Sequence, residues 1–337
     1  MNKVFIVAEL SANHNGNKKI ALDSIGAAKH AGADAIKIQT YTADTITLDC
    51  HSDDFKIRQG TVWDGKYLYD LYQEAYTPWE WHEELFEAAK REGLICFSTP
   101  FDKTAVDFLE RLHNPIYKIA SFEITDIPLI EYAAKKMKPM VISTGIATDE
   151  DIRLAVDTCK SAGNNDITLL KCTSSYPAPI EEANLCMIKD LAERYSVKSG
   201  LSDHTLGSVA PIVAVAMGAT MVEKHFIIDR SIGGPDASFS MEEKDFTQMV
   251  KDIRIAEQAV GMVSYELTDK MKASREFSRS LYVAENMKAG DVINEKNVRS
   301  VRPGFGLHPK YLKQIFGKKI KIDLKKGSRF SLTFIDD

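Results

Sequence analysis

Short apolar runs separated by amphipathic stretches recur along the first part of the chain. Runs at 4–10, 34–40, 94–100, 117–121, 140–145, 167–172, 199–204 and 221–226 have the length of strands and lack clean alternation. That is the pattern of strands covered on both faces. Helical patterns lie between most of them, at 19–31, 78–92, 103–112, 149–162 and 244–260. In the last, Phe246, Met249, Val250, Ile253, Ile255, Ala256 and Val260 repeat at close to the helical period. Thr77 before Pro78, and Thr148 before Asp149 with Asp151 in the first turn, read as helix starts. Gly32, Gly93 and Gly163 stand where helices should stop.

Eight strand–helix units within about 260 residues predict a (β/α)8 TIM barrel over residues 1–261. A doubly wound open sheet is the alternative. It would carry a G-x-G-x-x-G turn after the first strand, and residues 11–16 read SANHNG instead. Residues 41–77 break the rhythm. They are too long for an ordinary strand-to-helix loop and carry Tyr41, Trp63, Tyr67, Tyr69, Tyr72 and Tyr76. A long segment at the C-terminal end of a barrel strand is expected to act as a lid over a substrate. Residues 262–279 read as a polar, partly helical linker. Residues 280–337 read as short strands and turns, strongly basic in their last third. Those 58 residues form a β-rich second domain whose own core would be marginal, so it should lean on the barrel or on a partner chain.

Composition narrows the function. The chain has 337 residues, of which 44% are hydrophobic and 27% charged, with a net charge of −5. That fits a globular protein and argues against a nucleic-acid partner, which needs a basic stripe. The N-terminus lacks the long apolar core of a secretory signal, and no run approaches the ~20 apolar residues of a membrane helix. Five cysteines without a C-x-x-C pair suggest reduced, mostly buried thiols. A cytoplasmic protein without a membrane partner is expected.

The strand ends carry the chemistry. They bear Glu9; Lys37 and Gln39; Ser98 and Thr99; Lys118, Ser121 and Glu123; Ser143 and Thr144; Lys171 and Thr173; Ser202, Asp203 and His204; Glu223, Lys224 and His225. Polar groups on apolar strands cost free energy unless paired or used, and eight strands sharing the feature predict a pocket. Lys37, Lys118 and the hydroxyls suit a phosphate or carboxylate. His204 and His225 end neighbouring strands. They suit either an open metal site, better matched to Mn²⁺ or Mg²⁺ than to Zn²⁺, or a structural role. Lys171 would suit a Schiff-base aldolase. The last 58 residues alone would suit a non-catalytic ice- or sugar-binding module. His82 and His308 read as packing or surface residues, and Asp203 as a group that orients a neighbour. His14 reads as either a loop-fixing group or a sugar contact.

The ordered motifs AELSANHNG, IKIQT, STPFD, YKIAS, ISTGIAT, LLKCTSSYP, GLSDHTLG, VEKHF and GGPDASFS resemble the signature of the sialic acid synthase family. VRPGFG and GKKIKIDLKKGS resemble that family's antifreeze-like (SAF) domain. The stretch around Trp63-Asp64-Gly65-Lys66 and Thr77-Pro78-Trp79-Glu80-Trp81-His82, with SANHNG, is most similar to the family's pseudaminic branch. The N-acetylneuraminate and legionaminic branches remain the alternatives. The resemblance implies condensation of phosphoenolpyruvate with an N-acetylated amino-sugar aldehyde, giving a nine-carbon 2-keto acid and phosphate. For the pseudaminic branch the sugar is 2,4-diacetamido-2,4,6-trideoxy-altrose. It implies that His204 and His225 hold a divalent metal, Mn²⁺ with Mg²⁺ or Co²⁺ as alternatives. It implies phosphoenolpyruvate contacts from Lys37, Thr99, Lys118, Ser121, Ser143, Ser174 and Ser202. Sugar contacts would come from Gln39, Tyr176, Asp236 and Arg302, the last reaching a partner's pocket in a domain-swapped homodimer. Glu9 is implied as the acid/base, with Lys37, Gln39 and Asp236 beside it in the catalytic set. Ser174 departs from the family, which usually has Asn there.

Overall fold

Eight parallel strands close on themselves in the computed structural model, which describes residues 3–58, 60 and 63–336. They are β1 (Phe5–Glu9), β2 (Ala35–Thr40), β3 (Ile95–Pro100), β4 (Tyr117–Ile119), β5 (Met140–Ser143), β6 (Ile167–Cys172), β7 (Lys198–Asp203) and β8 (Met221–Ile227). Each pairs with the next, and β8 returns to β1 with Glu9 opposite His225. A short β9 (Met241–Glu242) extends from β8. The expected strands match these to within two residues at each end. The barrel therefore stands, and the open doubly wound sheet does not.

Alternation along the strands sorts the side chains into two layers. Val7, Ala35, Phe97, Val141, Leu170 and Met221 fill the barrel interior. Neighbours in the opposite phase, such as Ile6, Ile36, Tyr117, Ile142 and Val222, pack against the surrounding helices. Two residues beyond five of these six interior side chains, the same inward row becomes polar; beyond Leu170 it carries Cys172. Val7 leads to Glu9, Ala35 to Lys37, Phe97 to Thr99, Val141 to Ser143, and Met221 to Glu223. The interior is thus a packed plug with a polar top at the strand C-termini.

Helices start and stop largely as their sequences dictate. Thr148 forms a capping box with Asp151 at the start of Asp149–Ser161. Gly32, Gly93 and Gly163 end helices with positive φ. The cap expected of Thr77 does not form. The chain after it begins with a 3₁₀ turn at Trp79–Trp81, and the Thr77 hydroxyl is taken by His14 Nε2 at 3.2 Å. His14 Nδ1 accepts from the Gly16 amide at 3.1 Å, so the ring proton sits on Nε2 and the ring fixes its own loop. His82 is buried and bonded to Thr40 Oγ1 at 2.8 Å, a packing role.

Contacts divide the chain into two units, residues 1–262 and 263–337. The second pairs β10 (Ser280–Val283) with β11 (Val298–Val301) in antiparallel register. Leu281, Val283, Met287, Ile293, Val298, Ile320 and Phe330 form its own core. The expected linker falls mostly in this unit and holds a helix, Asp269–Arg275, capped by Thr268. All five cysteines are free, and Cys96, Cys159 and Cys172 are buried. Among the described residues no helix is long and apolar enough to cross a membrane.

Candidate active site

The polar top of the barrel is built around two lysines and two carboxylates. Lys37 on β2 is ion-paired with Glu9 on β1, lies 3.7 Å from Glu223 on β8, and donates to Thr99 Oγ1 at 3.2 Å. Lys118 on β4 donates to Ser143 Oγ at 2.7 Å and lies 3.8 Å from Glu223. Ser202 donates to Glu223 at 3.1 Å, and Gln39 donates to Glu9 at 3.3 Å and to Ser11 at 3.1 Å. All four charged groups are almost completely buried. Every one of these residues except Glu223 and Ser11 belongs to the set implied by the sequence.

Burial does not act on the two carboxylates alike. Desolvation raises Glu9 to about 7, against the pull of Lys37 and with help from the like charge of Glu223. Desolvation also presses on Glu223, but Lys118 and Lys37 together outweigh it and hold that group below its usual value. Neighbouring carboxylates whose environments drive them apart in this way divide into a proton carrier and a fixed charge. Burial works against the Lys37 ammonium too, yet Glu223 and Glu9 keep it charged. Lys118 is lowered by burial, incompletely offset by Glu223, with Lys37 adding repulsion. The result is a dry, cationic floor next to a carboxyl that titrates near neutrality.

Beside this floor lies a hydroxyl cradle. Ser121 accepts from the Gly145 amide at 3.0 Å. A Cβ on Gly145 would fall 2.2 Å from Ser174 Oγ and 2.7 Å from Ser121 Oγ, so only glycine lets the two serines approach this backbone. Ser174 thus stands in the cluster despite its departure from the family pattern.

The two histidines meet. Their ring centroids lie 5.3 Å apart, with Tyr176 packed 4.3 Å from His204 and Phe239 5.1 Å from His225. His204 Nδ1 donates to the Thr173 carbonyl at 2.9 Å, which leaves Nε2 with its lone pair. His225 Nδ1 is buried with no hydrogen-bond partner and sits 3.8 Å from Asp236. Burial, then the nearby His204, holds His225 well below its ordinary value, as a neutral ring. Asp236 is buried and raised by desolvation, against hydrogen bonds from Ser11 and the Ala12 amide. Among the described residues no cluster of three or more metal-ligating side chains is preassembled. Two adjoining imidazoles, one of them with a buried ring nitrogen that has no hydrogen-bond partner, fit an open divalent-metal site completed by oxygens from ligand and water, and do not fit a closed structural one.

Other strand-end groups lie in the opposite phase. Lys171 turns to the Cys172 carbonyl at 2.6 Å and to Thr173, away from the interior row. That placement takes the Lys171 amine, the one a Schiff-base reading would use, away from the mouth. Asp203 and Lys224 form a buried ion pair at 2.5 Å, completed by the Thr205 carbonyl at 2.6 Å. The pair fastens the ends of β7 and β8, next to His204 and His225. Lys224→Met would leave Asp203 charged and unpaired, at a cost of about 3–5 kcal/mol. The expected outcome is a Tm lower by on the order of 10 °C, read by calorimetry.

Three contributors were given no role from sequence, although Glu223 and Glu123 stand among the polar strand ends. Glu223 is detectable as the residue two before His225, on the same face of β8. Gly145 carries no signal beyond its motif. Glu123 follows β4 with a buried, unpartnered Oε2, and burial lifts it to about 7 against Lys118. Arg302 lies in the second unit, exposed, just past β11 in the segment with the cis Arg302–Pro303 bond.

The chain is similar to known proteins over nearly its whole length. It is 50% identical over 325 residues to the pseudaminic acid synthase of Campylobacter jejuni, covering 96% of this chain and 94% of that protein. It is 47% identical over 332 residues to the pseudaminic acid synthase of Helicobacter pylori, covering 98% and 97%. Among solved structures, the N-acetylneuraminic acid synthetase of Leptospira borgpetersenii superposes with a TM-score of 0.73 at 31% identity, covering 81% of this chain and 90% of that one. Residues 278–331 match the SAF domain, and residues 24–265 match the NeuB family. With that match running from before β2 to beyond β8, over more than half of the chain, the chain belongs to the NeuB family.

Proposed function

We propose that this chain is a pseudaminic acid synthase, condensing phosphoenolpyruvate with 2,4-diacetamido-2,4,6-trideoxy-altrose to give pseudaminic acid and phosphate. The observation that carries the choice of branch is identity near 50% over 96% of the chain to proteins of that name. The geometry supports the chemistry. Lys37, Lys118, Thr99 and Ser143, with the Ser121–Ser174 cradle and Ser202, form an anion site matched to the phosphate and carboxylate of phosphoenolpyruvate. A divalent ion held by His204 and His225 would supply Lewis-acid polarisation of the sugar aldehyde. The enol carbon then bonds to the aldehyde carbon, water adds at C2, and phosphate leaves from the tetrahedral intermediate. Glu9, buried beside Lys37, takes the proton of that water. Gln39, Tyr176 and Asp236 surround the sugar. Segment 41–77 limits the access of bulk water.

The purified protein with phosphoenolpyruvate and Mn²⁺ should release phosphate fastest with the altrose derivative. N-acetylmannosamine and the legionaminic precursor, offered in parallel, serve as competitors. Faster release with either competitor would overturn the reading.

The swapped homodimer belongs to the same proposal, with Arg302 of one copy reaching the acetamido group of a sugar bound by the other. Losing a charged hydrogen bond of that kind costs about 1.5–3 kcal/mol. Arg302→Ala should therefore raise the sugar KM about 10- to 100-fold and leave the phosphoenolpyruvate KM nearly unchanged. An unchanged sugar KM would remove Arg302 from the site.

A further inference from the structure

Trp63 crosses the barrel mouth. It belongs to the long segment after β2, yet its indole N–H donates to the Pro235 carbonyl, in the loop after β8, at 3.0 Å. Its ring lies 5.3 Å from Tyr176, which follows β6, and 6.5 Å from Phe239. Tyr176 and Phe239 are themselves 5.3 Å apart. Through Tyr176 this triad reaches His204, and through Phe239 it reaches His225. The polar groups near the histidines come instead from β1, β2 and Asp236. A sugar aldehyde brought to the two imidazoles therefore meets polar groups on one flank and an aromatic wall on another. The single N–H of the indole is already committed to Pro235, so the indole offers a hydroxyl little in exchange for water.

We propose that Trp63 is a specificity-determining residue that completes an apolar wall for the deoxygenated methyl end of the acceptor sugar. The inference rests on the reading of the site given above and adds the substrate feature that it selects. A methyl group loses only water on reaching the wall. A hydroxymethyl group against the indole gives up hydrogen bonds that the indole does not replace. Discrimination of this kind is bounded: an apolar pocket rejects an added hydroxyl by about 10² at most. Without the indole, water reaches that flank and the preference lapses.

The test compares wild type, Trp63→Phe and Trp63→Ala with phosphoenolpyruvate, Mn²⁺ and two acceptors. These are the 2,4-diacetamido-2,4,6-trideoxy sugar and its counterpart of the same configuration carrying a 6-hydroxyl. Wild type should favour the deoxy sugar by about 10- to 100-fold in kcat/KM. Trp63→Ala should bring that ratio towards one, mostly through the KM of the deoxy sugar, with the phosphoenolpyruvate KM within about twofold. Trp63→Phe should keep part of the preference. An unchanged ratio in Trp63→Ala, or equal losses with both acceptors and with phosphoenolpyruvate, would overturn the inference while wild-type use of the deoxy sugar leaves the functional reading intact. A wild-type enzyme that prefers the 6-hydroxylated sugar would overturn the inference. One that uses neither acceptor but accepts N-acetylmannosamine would overturn the functional reading and the inference with it.

Discussion

Replacing His225 by Ala should lower the rate of phosphate release by about 10³-fold or more. The size follows from the chemistry assigned to the site. Lewis-acid stabilisation of a developing charge is worth several kcal/mol, and each 1.36 kcal/mol is tenfold in rate. His225 is suited to that task because its ring is kept neutral by burial and its Nδ1 has no protein partner. Nothing else within the described residues depends on that nitrogen, so the variant should fold and still bind phosphoenolpyruvate. Manganese titration by electron paramagnetic resonance should show Mn²⁺ binding lost along with turnover. His204→Ala should have the same kinetic effect with an added stability loss, because the Nδ1 bond to Thr173 goes too. Near-wild-type activity in His225→Ala, or chelator-insensitive turnover in the unmodified protein, would sink the metal assignment.

Glu9→Gln should cost about 10²–10⁴ in kcat, the range removed with a general base. The pH profile gives the sharper reading. With its carboxyl raised to about 7, Glu9 is protonated below neutrality and ionised above it. A base must be ionised to accept a proton, so kcat of the unmodified enzyme should rise with pH through a limb near 7. In Glu9→Gln that limb should vanish and leave a flat, low rate. The amide keeps the shape and remains in reach of Gln39, which separates proton transfer from packing. A limb that persists in the variant would transfer the titration to another group. Glu123, which titrates in the same range, is the first to examine.

Both predictions draw on features that differ in how visible they were in the chain. The strands, the helices between them and the polar character of the strand ends followed from local pattern, because each arises from residues within one or two turns of each other. Lys37, Thr99, Lys118 and Ser143 were therefore legible as a group before any pairing was known. The phase of each strand was not. Lys171 and Cys172 are adjacent and both end β6, yet only Cys172 continues the interior row of Leu170. Asp203 and Lys224 looked as available as Ser202 and Glu223, and they face each other instead. A strand's period of two leaves two choices of face, and only the register of the closed sheet selects one.

Sequence alone determined the eight-fold strand–helix order, the β-rich second unit and a lysine-bearing polar pocket at the strand ends. Those rest on local propensity and on the cost of placing polar groups in apolar strands. Tertiary structure decided the rest. It placed Glu223 between two lysines, set Glu9 apart from it, left one nitrogen of His225 without a partner, and carried Trp63 across the mouth to Pro235. Each depends on groups far apart in the chain meeting out of water, where burial shifts a carboxyl and an unpaired nitrogen carries a cost. No pattern of neighbouring residues encodes that desolvation.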